Sequence, residues 1–252
     1  MIFFMTKTIL ITGASSGIGA ACVQQAANLH LNIIATARSS SKLQSLQRQF
    51  NNVQIIVADI ATETGRNIID QSIKQPLDYL LHNAAILDQP QTLLDLKVSD
   101  FRNNIVTNVE PLLFLTQKLI PHFKSAAQTG RILSMSSGAA KQAIAGLGNY
   151  CVSKAAALMA NQMLKTEMPK YGVIVNDYFP GVVDTSMQKT LRSSTTDIFP
   201  YSDDFKKMKT DNQLNSPLHV ACHILDIFVN SNDQQFVQSE WIFKEHNVLD
   251  KL

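Results

Sequence analysis

Cysteine, charge imbalance and long apolar runs are all scarce in this chain. Its 252 residues hold three cysteines, Cys22, Cys151 and Cys222, far apart and in no CxxC pair. An odd, scattered set builds neither a disulfide framework nor a zinc site, and it suits a reducing compartment, here taken as the cytoplasm. Lysine and arginine number 22 against 20 acidic residues, a balance of +2. That offers no electrostatic handle for nucleic acid or a membrane surface. No apolar run approaches the roughly 20 residues of a membrane-spanning helix. The apolar start, Met1 to Lys7, is too short for a signal core and runs straight into a strand, so a cleaved leader is not expected. Met5 reads as the true start, with residues 1–6 outside the ordered domain. His219 and His223 stand four apart on a late helix, but no third ligand accompanies them, and no metal is expected.

What the chain does have is alternation. Short β-branched or aliphatic runs at Thr8–Thr12, Leu31–Ala37, Val53–Ala58, Leu77–Leu81, Arg131–Met135 and Val173–Tyr178 read as strands. Between them lie helical patterns at Gly17–Leu29, Lys42–Phe50, Thr62–Lys74, Ser99–Phe123 (bent at Pro111), Tyr150–Met168 and, last, Pro217–Val229. Near-continuous apolar strands are covered on both faces. The pattern predicts an α/β fold: a Rossmann-type, doubly wound, mostly parallel sheet of about seven strands with helices on both faces. The length fits a single domain over 1–252. The polar segment 184–215 matches no element and reads as a mobile substrate lid.

Right-handed crossovers gather the strand C-termini on one rim. The glycine run Thr12 to Gly19, Asp59, His82 to Ala85, Ser136-Ser137 and Pro180-Gly181 each follow a strand and so converge there. A glycine loop leading into a helix offers free N–H groups and a favourable dipole to a diphosphate. Tyr150 and Lys154 stand four apart on one helix face, about 5–6 Å apart at Cβ. An ammonium beside a phenol lowers its pKa and makes it a proton donor and acceptor near neutral pH. A diphosphate cradle with a tuned phenol predicts hydride transfer to and from a carbonyl. At the end of the second strand an acidic residue would hold the ribose of NAD. Ala37 stands there, followed by Arg38 and three serines, so NADP(H) is expected, with NAD(H) the second candidate.

The motifs together resemble the short-chain dehydrogenase/reductase family over Lys7 to Thr185. TGASSGIG (Thr12 to Gly19) resembles its TGxxxGxG loop, HNAA (His82 to Ala85) its NNAG, Tyr150 and Lys154 its YxxxK, and PGVVDT (Pro180 to Thr185) its PGxxxT. Ser137 precedes Tyr150 by thirteen residues, similar to the family's spacing. The resemblance implies four catalytic residues. Tyr150 exchanges the proton, Lys154 lowers its pKa and holds the nicotinamide ribose, and Ser137 holds the substrate oxygen. Asn108 keeps a water linking Lys154 to solvent. Ser136 is left a structural hydrogen-bonder. The cofactor set implied is Gly13, Ser15, Ser16, Gly17, Ile18, Arg38, Asp59, Ile60, Asn83, Ala84, Tyr150, Lys154, Pro180, Gly181, Val183 and Thr185. Asp59 is expected to accept from the adenine amino group, with a helix cap as its competing role. The resemblance also implies a homodimer or homotetramer through the helices at 99–123 and 150–168.

Two departures stand out. Ala85 puts a methyl where glycine allows close backbone approach. The end, Trp241 to Leu252, lacks the family's glycine-rich ending, which leaves a last strand unassigned. The reading is an oxidoreductase of a small carbonyl or secondary alcohol; a dinucleotide-binding regulator with little turnover is the alternative, and it has no use for Tyr150. Substrate choice is assigned to 86–91, 139–148 and 184–215, where apolar Ala143, Ile144, Ala145 and Leu147 point to an apolar substrate.

Overall fold

Aliphatic residues with almost no polar interruption make the centre of the molecule. The computed structural model describes residues 6–123 and 129–243. The readings of the chain start, before Thr6, and of the end beyond Phe243 lie outside these residues. The strands are β1 (Thr8–Thr12), β2 (Asn32–Ala37), β3 (Val53–Val57), β4 (Tyr79–His82), β5 (Gly130–Met135), β6 (Val173–Phe179) and β7 (Trp241–Ile242). They form one seven-stranded sheet in the order β3-β2-β1-β4-β5-β6-β7, and every pairing is parallel.

The helices are α1 (Gly17–Asn28), α2 (Ser40–Gln49), α3 (Glu63–Ser72), α4 (Val98–Asn108), α5 (Glu110–Leu119), α6 (Gly148–Glu167), α7 (Ser186–Arg192), α8 (Ser202–Thr210), α9 (Pro217–Asn230) and α10 (Asp233–Gln238). Alternate strand residues face opposite sides. Ile9, Ile11 and Ile33 pack with Val23 and Ala26 of α1 and Ile224 and Phe228 of α9. Leu10, Ile34, Leu80 and Ile132 face the other way, toward Ile69, Leu115 and Leu164. The order in which strands join the sheet reverses between β1 and β4, while all strands stay parallel, so the loops after these two strands splay apart. Ligands bind in open α/β sheets at such a point.

Four expectations change. The long helix at 99–123 is two helices with a break at Val109, not one bent helix. Pro111 has no N–H for the Thr107 carbonyl, and the Leu112 N–H turns to the Val109 carbonyl at 3.1 Å, releasing that of Asn108. The segment 184–215 carries α7 and α8, closed by a small core of Leu147, Leu191, Phe199 and Phe205. Ile144 packs against that core too, so Ile144 and Leu147 hold this segment to the body rather than merely lining a substrate site. Finally, a last strand exists despite the atypical ending. It follows α10, whose Asn232 and Gln235 form a reciprocal capping box, and it adds only two residues to β6.

Candidate active site

The turn after β1 is shaped by what it leaves no room for. Gly13 and Gly17 have φ of +64° and +54°, backbone that side chains resist. A Cβ on Gly13 would lie 2.8 Å from the Ala84 Cα, and one on Gly19 would lie 2.3 Å from the Gly13 carbonyl oxygen. The end of β4 is stapled to this turn. Asn83 Nδ2 donates to the Thr12 carbonyl at 2.9 Å, while Thr12 Oγ1 accepts from the N–H groups of Asn83 and Ala84 at 3.0 and 3.1 Å.

Beyond the turn opens a cleft of about 430 Å³. Fourteen of the predicted residues line it: Gly13, Ser15, Ser16, Gly17, Ile18, Arg38, Asp59, Ile60, Asn83, Ala84, Tyr150, Lys154, Pro180 and Thr185. Gly181 and Val183 do not. Val183 buries its side chain in the core and bridges Asn215, and a Cβ on Gly181 would meet Asn215 Nδ2 at 2.8 Å. That bridge uses the carbonyl of Val182 and the N–H of Asp184, so the Val183 peptide groups face the opposite way. Asn108 and Ser137 also stand behind the lining residues. Asp59 Oδ1 accepts from the Ala61 N–H at 3.0 Å, but the cap of α3 is Thr62. Asp59 therefore builds a turn at the wall of the cleft.

Fit to a dinucleotide can be judged from the walls. Thr36 Oγ1 and Ser136 Oγ are buried without a hydrogen-bond partner, and both residues line the cleft. Such orphaned hydroxyls need a ligand or water. With the side-chain-free turn and the exposed cations Arg38 and Lys42 at one end, they suit a long, polar, anionic group. Ser136 is thus not the structural hydrogen-bonder expected of it.

Tyr150 sits at the start of α6, its hydroxyl 3.9 Å from Met187 Sδ on α7. Burial pushes its pKa up to about 12, and a hydrogen bond with Ser137 works against that rise. This reverses the expected lowering by Lys154. The ammonium is committed elsewhere: Lys154 Nζ donates to the Met135 carbonyl at 2.8 Å and lies 5.8 Å from the Tyr150 ring centre. Burial lowers the Lys154 pKa to about 8, and the Asp177 carboxylate acts in the opposite sense. Ser137 Oγ accepts from the Ala139 N–H at 3.2 Å, so it faces Tyr150 from a short helical turn. The Asn108 side chain is fully engaged: Oδ1 accepts from the Ile86 N–H at 2.8 Å, and Nδ2 donates to Ser153 Oγ at 3.0 Å. Its amide is thus committed to protein partners, and the break before Pro111 leaves its backbone carbonyl outside the helix ladder.

The sequence profile of the family described as short chain dehydrogenase matches residues 7–196. The chain belongs to the short-chain dehydrogenase family. It is an oxidoreductase that moves hydride between a nicotinamide cofactor and a carbonyl or secondary alcohol. A benzil reductase ((S)-benzoin forming) of Bacillus cereus is 30% identical over 247 residues, covering 94% of this chain and 98% of that protein. The crystal structure of the KRED1-Pglu enzyme superposes with a TM-score of 0.83 at 24% identity, covering 94% of this chain and all of that one. A short chain dehydrogenase of Burkholderia cenocepacia, solved in complex with NADP, has a TM-score of 0.74 at 26% identity, with 88% and 90% covered.

Within this dehydrogenase, Ser39 and Lys42 of the run after Ala37 line the cleft beside Arg38, whereas sequence reasoning missed Thr36, Ser186 and Met187. Met187 carried no signal, because the placement of α7 depends on packing far along the chain. Among the described residues, no group of three His, Cys, Asp or Glu can hold a metal, and no helix is long and apolar enough to cross a membrane.

Proposed function

We propose that this enzyme reduces a small neutral carbonyl with NADPH, or runs the reverse oxidation, with Tyr150 as proton donor and acceptor. The observation that carries the reading is Tyr150 and Lys154 together in the wall of the cleft that begins at the glycine turn, with Ser137 hydrogen-bonded to Tyr150 from behind. The backbone of Gly13, Ser15, Ser16, Gly17 and Ile18 would hold the diphosphate at the start of α1. Arg38, with Ser39 and Lys42, would take the 2′-phosphate that separates NADP(H) from NAD(H). Asp59 and Ile60 would hold the adenine. Asn83, Ala84, Pro180, Thr185 and the backbone at Gly181 and Val183 would hold the nicotinamide end. When bound, the nicotinamide supplies or accepts the hydride.

The residues do the rest. A phenol raised to about 12 keeps its proton at neutral pH, as a donor to a forming alkoxide must. Ser137 steadies that developing charge. Lys154, once near a ribose, restores the proton, and the freed Asn108 carbonyl holds the water that links it to solvent. The neutral substrate agrees with the name of the Bacillus cereus relative. We further place the enzyme in the cytoplasm, as one domain with 184–215 as its lid. A homodimer or homotetramer is supported by exposed Phe114, Val152, Met159 and Met163 on α5 and α6. Initial rates over a panel of aldehydes and ketones test this, with NADPH and with NADH. Tyr150→Phe should lose about 10²- to 10⁴-fold in rate while still binding cofactor. Equal inertness of wild type and variant, with cofactor bound, would favour a regulator instead.

A further inference from the structure

Tyr150 is bracketed by two side chains that lead to one carboxylate. Asn149, its predecessor, donates from Nδ2 to Asp88 Oδ2 at 2.9 Å. Ser153, one turn on, donates to the Tyr150 carbonyl at 2.9 Å and accepts from Asn108 Nδ2 at 3.0 Å. Asn108 Nδ2 also reaches Asn104 Oδ1 at 3.2 Å, and Asn104 Nδ2 donates to the same Asp88 oxygen. Asn104, Asn108, Asn149 and Ser153 are all buried. Asp88 itself is half-buried on the loop after β4, beside Tyr150 in a pocket of about 10 Å³, room for one water.

We propose that Asp88 is a positioning residue for the catalytic tyrosine, acting through Asn149 on one side and Asn104, Asn108 and Ser153 on the other. A single acceptor that takes an amide from α4 and another from α6 locks the two helices at the turn bearing the phenol. Charge-assisted bonds of this kind are about twice as strong as neutral ones. The loop carrying Asp88 also carries Ile86, which Asn108 holds from both its N–H and its carbonyl, at 2.8 and 3.0 Å. The carboxylate, the helix break and the first turn of α6 therefore move as one unit. A misplacement of 1 Å at such a point can cost about 10²-fold in rate. The inference rests on the reading of Tyr150 as proton donor.

Asp88→Ala tests it, and the fold should survive, because both amides keep the Asp100 carbonyl at 3.4 and 3.2 Å. We expect kcat to fall about tenfold or more, with substrate KM and cofactor Kd within about twofold. Asp88→Asn, whose amide oxygen accepts the same two donors, should return to within about threefold of wild type. Amide hydrogen exchange at residues 148–154 of the cofactor-free protein should quicken about tenfold in Asp88→Ala. Unchanged exchange overturns the proposal whatever the activity does. A loss confined to substrate KM overturns it too, by making Asp88 a substrate contact. If the wild type were inert on every carbonyl, the functional reading would fall and the exchange comparison would still decide the clamp.

Discussion

At the scale of single residues, burial decides the electrostatics more often than neighbours do. His82 is the clearest case. It is buried, its Nε2 pairs with Thr116 Oγ1 at 2.8 Å, and burial lowers its pKa to about 3. Between pH 3 and 6.5 the unfolded chain binds a proton on this imidazole and the folded chain does not. Unfolding then takes up a proton, so stability falls as pH is lowered through that window and is unaffected by His82 above it. Relative to His82→Gln, the wild type should lose about 1 kcal/mol per pH unit below 6, measured by urea denaturation. Tyr150 follows the same logic. Its i, i+4 spacing from Lys154 was legible; the direction of its shift was not, because Lys154 points its charge at a strand carbonyl.

Among elements, the turn between β1 and α1 has the least tolerance. Gly19→Ala places a methyl 2.3 Å from a backbone oxygen, which cannot yield as a flexible side chain would. The variant should lose about 1–3 kcal/mol of stability and its cofactor binding, seen together in denaturation and fluorescence titration. The segment 184–215 is tied differently. Asp184 accepts from Lys209 at 2.6 Å and pairs with Arg192 at 3.5 Å, joining α7 and α8 to the strand end. These contacts are partly exposed and screened by salt. Raising ionic strength should therefore speed hydrogen exchange in α8 and leave β1 unchanged. The strands, the tyrosine helix and the glycine turn could be read locally, since each carries its own period or motif. The split at Val109 could be read only as a bend. The two-residue β7 and the helices α7 and α8 could not be read at all, because packing partners distant in sequence stabilise them.

For the whole molecule, ligand binding and folding are one equilibrium. A ligand at 100 times its Kd adds about 2.7 kcal/mol, which for a chain of this size raises Tm by about 5–10 °C. NADPH should give the larger shift at equal concentration, and Arg38→Ala with Lys42→Ala should bring it down to that of NADH. An equal shift from both cofactors in the wild type would remove the case for a 2′-phosphate site. The parallel sheet and its switch point followed from strand and helix alternation alone, so the place of the cleft was foreseeable. The unpartnered hydroxyls of Thr36 and Ser136 in its wall were not, since an unsatisfied hydroxyl is visible only once its surroundings are known.

The thioether of Met187 rests against the Tyr150 hydroxyl. A methionine has three rotatable bonds and a soft, polarisable sulfur, so this plug yields by degrees. Ketones of rising girth should meet a gradual decline in turnover and no sharp cut-off, and replacing the plug with a rigid branched residue should turn that slope into a step.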